Sequence, residues 1–280
     1  MLPGRPCTPS LRICLRLMRL KMASVSFFFP ADSMIIFSNI LSMKQDYAEY
    51  LTKKTKEDYD KIAGDFSRTR AYLWDDLRRF AALVKEGDSL LDFGCGNGRL
   101  FELFGDIKGI HYTGIDQACQ LIEKAKEKYA GTSAEFVCSD SAELPFPDEY
   151  FNTIFAVASL HHIPSEQKRL ELLAEFQRLL KPNGILVVTV WNLWQRKYIS
   201  LIAKYTLKKI SGQSPLDWRD VFVPWRNASG EAVAERYYHA FTDRLLKRVI
   251  QKGCFVIQES GRFGGHQGKN YNLYAIAKKL

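Results

Sequence analysis

From Met43 onward, short apolar runs alternate with longer stretches whose apolar residues recur every three or four positions. The runs 89–93, 112–115, 135–138, 151–157, 185–190, 254–259 and 272–277 have the length of strands, and their near-continuous apolarity marks strands covered on both faces. Helical spacing fills the gaps, at about 46–62, 74–84, near Leu100, 118–129, 166–180 and 243–252. The Lys181-Pro-Asn-Gly184 break reads as a helix stop followed by a turn. Such alternation, closing on an antiparallel pair, predicts an α/β fold with a doubly wound, mostly parallel sheet of seven strands. Residues 191–235, rich in Trp, Lys and Arg and carrying Pro215 and Pro224, break the pattern and are expected to form an insertion or lid.

The first strand ends in Asp92 and runs into Gly94, Gly96 and Gly98, with a helical pattern behind them. Glycines at a strand-to-helix turn let the backbone approach a ligand closely and adopt positive φ. The spacing is D-x-G-x-G-x-G rather than the G-x-G-x-x-G that cradles a pyrophosphate. An acid before the first glycine repels phosphate and attracts an ammonium. A ligand with a nucleoside at one end and an amino acid at the other fits, which describes S-adenosylmethionine. Asp116 closes the second strand roughly twenty residues beyond the turn, where an acid can accept both ribose hydroxyls. It could equally cap the following helix. Asp140 and Ser141 follow the third strand, where a carboxylate and adjacent amides can read an adenine amino group, or simply make a turn.

His161-His162 lies just past the fourth strand. Adjacent histidines do not share one helix face, so no metal site is expected there. A base, a donor that positions an acceptor, and a packing residue all remain open. No Asp-His or Cys-His dyad stands out, whereas Arg70, Trp191, Trp194, Trp225, Arg236, Tyr237 and Tyr238 are abundant near the expected cleft. Arginine binds carboxylate or phosphate bidentately, and aromatics stack on an extruded base. The alternative is that the aromatics are core and the arginines solvated surface. A methyl group carried on a sulfonium is already activated, so catalysis is mainly alignment. A carboxylate acceptor is ionised at neutral pH, whereas an amine or hydroxyl calls for a base.

The 280 residues hold 46% apolar and 25% charged side chains, ordinary for a full core. A net charge of +9 is compatible with a polyanionic partner. Cys7, Cys14, Cys95, Cys119, Cys138 and Cys254 show no framework spacing and are expected to be reduced thiols in a cytoplasmic protein. Residues 1–42 are basic, carry no acid before Asp32 and contain Val25-Ser-Phe-Phe-Phe29, but hold no apolar run long enough to span a bilayer. They read as a disordered or non-native extension, with Met43 opening the domain of residues 43–280 and no membrane partner.

The Asp-x-Gly-x-Gly-x-Gly turn resembles that of the class I S-adenosylmethionine-dependent methyltransferases, which implies a Rossmann-like sheet and S-adenosylmethionine as cofactor. Tyr59–Arg70, Gly94–Gly98, Asp140–Phe146, His161-His162, Asp220–Trp225 and Arg236–Phe241 resemble, more narrowly, the tRNA carboxymethyluridine methyltransferases. That resemblance implies esterification of 5-carboxymethyluridine at the tRNA wobble position. It implies a cofactor pocket built from Tyr59, Arg70, Asp92, Gly94, Cys95, Gly96, Gly98, Asp116, Gln117, Asp140 and Ser141. It also implies an acceptor site drawn from Arg70, His161, Arg236, Tyr237 and His239. The expected partners are tRNA and a small zinc-binding activator subunit, giving a monomer or a heterodimer. Gly261–Asn270, glycine-rich and basic, matches no pattern of that family. The rival readings are a methyltransferase with a small-molecule acceptor, for which 191–235 is a lid, and a catalytically silent RNA-binding or activator subunit.

Overall fold

The computed structural model describes residues 42–70, 72–140, 143–264 and 272–280. Ser141, the extension up to residue 41 and most of the 261–270 segment fall outside the described residues. Met43–Leu280 forms one compact unit. Its strands are β1 Ser89–Phe93, β2 His111–Asp116, β3 Glu135–Cys138, β4 Phe151–Val157, β5 Leu180–Trp191, β6 Asp220–Arg226, β7 Ala232–His239, β8 Val256–Phe263 and β9 Asn272–Lys278. The α-helices are α1 Gln45–Thr69, α2 Cys119–Lys128, α3 Glu166–Leu179, α4 Arg196–Ile210 and α5 Asp243–Lys252.

Seven strands form one sheet in the order β3-β2-β1-β4-β5-β9-β8. β1 to β5 run parallel, and β9 is antiparallel to both β5 and β8. The expected sheet is therefore the observed one. Strand parity divides its core. Leu91, Ile154, Leu186, Val188 and Ala275 face one cluster with Phe176 and Ile250, while Leu90, Phe155, Val187, Tyr274 and Ile276 face another with Phe104 and Ile122. The segments at 75–83 and 99–103, expected to be helical, are 3-10 helices. Lys181–Gly184 is not a turn ahead of the strand. β5 already starts at Leu180, and the extra residues are absorbed by a register shift opposite Phe151 and Thr153 and by Asn183 at φ 66°.

The stretch expected to be an insertion holds α4 and a separate antiparallel hairpin, β6–β7, whose second strand carries on to His239. Leu193, Ile202, Val221, Val223, Tyr238 and Ala240 give it a core of its own. The amphipathic α1, with Ala48, Leu51, Thr55, Asp58 and Ile62 buried on one stripe, ties the hairpin to the main domain. Its one end packs with Leu216 and Tyr237, and its middle with Trp225 and Ala234. Two cysteines depart from the expectation of reduced thiols: Cys119, opening α2, and Cys138, closing β3, are joined in a disulfide. Asp116 pairs in register with Cys138, so α2 folds back beside β3 and brings the two sulfurs together.

Candidate active site

The C-terminal ends of β1, β2, β4 and β5 open onto one cavity of about 250 Å³. The glycine turn forms its floor. Gly94, Gly96 and Gly98 hold φ of +71°, +56° and +73°, and a Cβ on Gly94 would lie 2.5 Å from the Cβ of Ser159. No other residue fits the first of these positions. The turn is clamped to the end of β2, because the Gly94 and Cys95 amides both donate to the Ile115 carbonyl. The Gly96 amide in turn donates to Asp116 Oδ2 at 2.8 Å, and the Ala118 amide to Asp116 Oδ1 at 2.9 Å. Asp116 is thus positioned by the turn rather than spent as a helix cap; the α2 N-cap is Ala118. Its burial pushes its pKa up against the pull of these amides.

Asp92 lines the same cavity and is buried, accepting a hydrogen bond from Tyr112 OH at 2.5 Å. Burial pushes its pKa up to about 7. Beside it stands Arg99, which the sequence reading missed. Burial pushes its pKa down to about 10, with the nearby Arg70 adding to the effect, and one terminal nitrogen (NH1) is buried without a partner. A carboxylate and the Arg99 guanidinium side by side, with Arg70 close enough to act on both Arg99 and Arg236, suit a zwitterionic amino acid, the acid taking the ammonium and Arg99 the carboxylate. Tyr59, Cys95 and Gln117 also line the cavity. Gly98 does not. Its missing side chain instead makes room for Phe136 and Tyr129. Asp140 lines the cavity at its exposed margin and pairs with Lys56 at 2.7 Å, a hydrogen bond that pulls its pKa down.

The opposite end is aromatic and cationic. The buried Arg236 guanidinium lies 4.8 Å from the Trp225 ring centroid, 5.3 Å from Tyr238 and 5.7 Å from Trp191, and its Nε has no hydrogen-bond partner among the described residues. Arg70 lies over Trp225 at 5.6 Å. Hydrogen bonds fix the tautomers of both histidines. His162 Nδ1 lies 2.7 Å from the Tyr237 carbonyl and therefore carries the proton, so its Nε2 accepts from Tyr59 OH at 2.8 Å. His161 Nδ1 accepts the Trp191 amide at 3.3 Å, which leaves a proton on Nε2, buried and unpartnered. Burial lowers both pKa values, that of His162 to about 3. Neither ring offers a free lone pair to the cavity.

Of the expected acceptor residues, Arg70, His161 and Arg236 line the cavity, whereas Tyr237 and His239 do not. Tyr237 packs with Met43, Leu51 and Leu216. His239 Nδ1 pairs with Asp220 Oδ1 at 2.7 Å, and burial pushes each toward its neutral form. Successive β7 side chains point to opposite sides, so Arg236 shares the cavity with Tyr238. That alternation was the available signal, hidden because the hairpin itself went unrecognised. Arg99 carried no comparable signal of its own, and His162 stood out only as half of the His161-His162 pair.

The glycine turn, the acids at the ends of β1 and β2 and the sheet order give this chain the fold and cofactor-site layout of the class I S-adenosylmethionine-dependent methyltransferases. The family described as "Methyltransferase domain" matches residues 91–188. Within the class the chain resembles tRNA (carboxymethyluridine(34)-5-O)-methyltransferases. It is 30% identical over 186 residues to the Arabidopsis thaliana protein of that name, covering 64% of this chain and 44% of that one. It is 28% identical over 231 residues to the Schizosaccharomyces pombe protein, covering 76% and 93%. A Methanosarcina mazei S-adenosylmethionine-dependent methyltransferase shares the fold, with a TM-score of 0.58 at 24% identity over 75% of this chain and 99% of that one. So does a Haloferax volcanii methyltransferase solved with its Trm112 activator, with a TM-score of 0.57 at 15% identity over 80% and 97%. The chain thus spans less than half of the Arabidopsis relative and nearly all of the fission-yeast one.

Proposed function

We propose that the protein esterifies the carboxylate of 5-carboxymethyluridine at the wobble position of tRNA. Bound S-adenosylmethionine supplies a methyl group already activated on a sulfonium. The observation that carries the reading is the protonation pattern beside Arg236. One histidine lone pair holds a tyrosine proton, the other accepts a backbone amide, and the free imidazole nitrogen presents a proton. Neither imidazole can take a proton from an amine or hydroxyl, whereas the donors beside them can hold an anion. The Arg236 Nε–H and the His161 Nε2–H are unpaired donors for carboxylate oxygens. The carboxylate gains its bond to the methyl carbon as the carbon–sulfur bond breaks, the electron pair staying on sulfur, and no proton has to leave.

The names of the relatives and the net charge of +9 support tRNA as the carrier of that carboxylate. The reading includes a small zinc-binding activator subunit, making a heterodimer rather than a monomer, and a cytoplasmic location. No helix among the described residues is long and apolar enough to cross a membrane.

The test is mass spectrometry of tRNA nucleosides after incubation with S-adenosylmethionine, with and without the activator subunit. A methyl ester of carboxymethyluridine, lost on mild alkali, is expected. Methylation confined to small carboxylic acids would assign the site to the small-molecule reading. Absence of cofactor binding in calorimetry would leave the silent subunit.

A further inference from the structure

Helix α4 alone among the described α-helices carries no acid. From Trp191 to Leu216 the chain has no acid, yet α4 carries Arg196, Lys197, Lys204, Lys208 and Lys209. On α1, α2 and α3 cations sit beside acids of the same helix: Lys54 pairs with Asp58, Lys124 with Glu127, Lys126 with Glu123 and Arg178 with Glu175. That interleaving is how a merely solvated helix face is built. Helix α5 also exposes Arg244, Lys247 and Arg248, but it carries Asp243 and lines no part of the cavity. Arg196, Lys197, Lys204 and Lys208 are exposed, and none makes an ion pair among the described residues. Lys209, half-buried, acts on the half-buried Asp217 and the buried Asp220 instead.

The helix also starts at the right place. Tyr198, in its first turn, packs with Trp191 and Tyr238, both of which line the cavity, and acts electrostatically on Arg70 and Arg236. From that end α4 runs for fifteen residues, about 22 Å at 1.5 Å per residue. A row of unpaired cations leading away from the anion end of the cavity is complementary to a chain of phosphates whose modified base enters that cavity.

We infer that the exposed face of α4 is the docking surface for the sugar–phosphate backbone of the substrate RNA. The inference rests on the tRNA reading proposed above. It assigns the contacts to Arg196, Lys197, Lys204 and Lys208, which position the RNA without reading its bases. The adjoining stripe of the helix exposes Ile199, Leu207 and Ile210, as a protein-binding helix would. The unbroken positive charge favours the polyanion.

The experiment compares the full chain with a variant carrying Arg196→Gln, Lys197→Gln, Lys204→Gln and Lys208→Gln. Binding of tRNA is followed by fluorescence anisotropy across a salt series, without cofactor. The slope of log affinity against log salt should shrink by about 0.7–0.9 for each contact removed. The KM for tRNA should rise, while calorimetric affinity for S-adenosylmethionine and turnover of free carboxymethyluridine nucleoside stay at wild-type values and report an intact fold. An unchanged slope with unchanged KM would overturn the surface while leaving the proposed reaction standing. A chain that binds tRNA through these cations but methylates nothing would sink the reaction and keep the surface. Loss of tRNA turnover in an Ile199→Ser, Leu207→Ser, Ile210→Ser variant, with the cation variant unaffected, would assign the face to a protein partner and refute the inference.

Discussion

At Arg236 a guanidinium is held out of water under three aromatic rings with its Nε unpartnered, and at Asp92 a carboxylate is buried against a single tyrosine hydroxyl. Both arrangements are costly unless a ligand of opposite charge completes them. Arg236→Ala should lower kcat/KM for the carboxylate acceptor about 10- to 150-fold, the equivalent of one charge-assisted hydrogen bond of about 1.5–3 kcal/mol. Affinity for S-adenosylmethionine should not change; steady-state kinetics paired with calorimetry would show whether it does. Asp92 gives a pH dependence. Its pKa in the free site is about 7, raised by burial from 3.8, so below pH 7 a proton must leave before an ammonium can bind. Cofactor affinity should therefore fall as pH falls through 7, approaching tenfold per unit, and Asp92→Asn should flatten the profile at the weak limit. The same shift acts on stability with the other consequence. A folded pKa above the unfolded one makes Asp92 most favourable to folding at low pH, and that contribution disappears as pH rises through about 7. A cofactor titration with no slope between pH 5.5 and 8.5 would dispose of the ammonium assignment.

Among the elements, β7 and the link between α2 and β3 teach most about legibility. Arg236, Tyr237 and His239 are expected together at the acceptor site from the sequence, but a strand alternates, so neighbours cannot all reach the same cavity. Only Arg236 does, joined by Tyr238, while Tyr237 packs against Met43 and His239 pairs with Asp220 across the hairpin. The hairpin was illegible because a stretch dense in Trp, Lys and Arg lacks the clean alternation that announces a strand. The cysteines failed for a different reason. Cys119 and Cys138 are 19 positions apart in the sequence, and nothing in that interval says that parallel pairing of β2 with β3 brings them to a Cα separation of 5.1 Å. Closing a loop of that length is worth about 3 kcal/mol through the entropy of the unfolded chain. Cys119→Ser, or addition of a reductant, should lower the melting temperature of the oxidised protein by several degrees in a calorimetric scan. A variant that melts with the oxidised wild type would show that the bridge contributes nothing in solution.

On the scale of the whole molecule, the cofactor is a stabiliser as well as a reactant, because only the assembled ends of β1 and β2 can bind it. S-adenosylmethionine at about 100 times its dissociation constant should add roughly 2.7 kcal/mol to stability, and Asp116→Ala should abolish most of the resulting thermal shift. An equal shift in the variant would remove Asp116 from the site. Hydrophobic periodicity, two acids at strand ends and alternate glycines were enough to specify the seven-stranded, mostly parallel sheet and the cofactor. These are local signals: a parallel strand must be apolar on both faces, and a turn with positive φ must use glycine. The acceptor end obeys no local rule. Arg70 comes from the end of α1, His161 and His162 from beyond β4, Trp191 from β5, and Arg236 and Tyr238 from the hairpin. Which of their atoms carry protons depends on a carbonyl in β7, an amide in β5 and a hydroxyl in α1. Only packing brings those groups within 3.3 Å of the two imidazoles. The glycine turn could therefore be read one residue after another, whereas an anion-binding end without a base exists only once the separate elements have met.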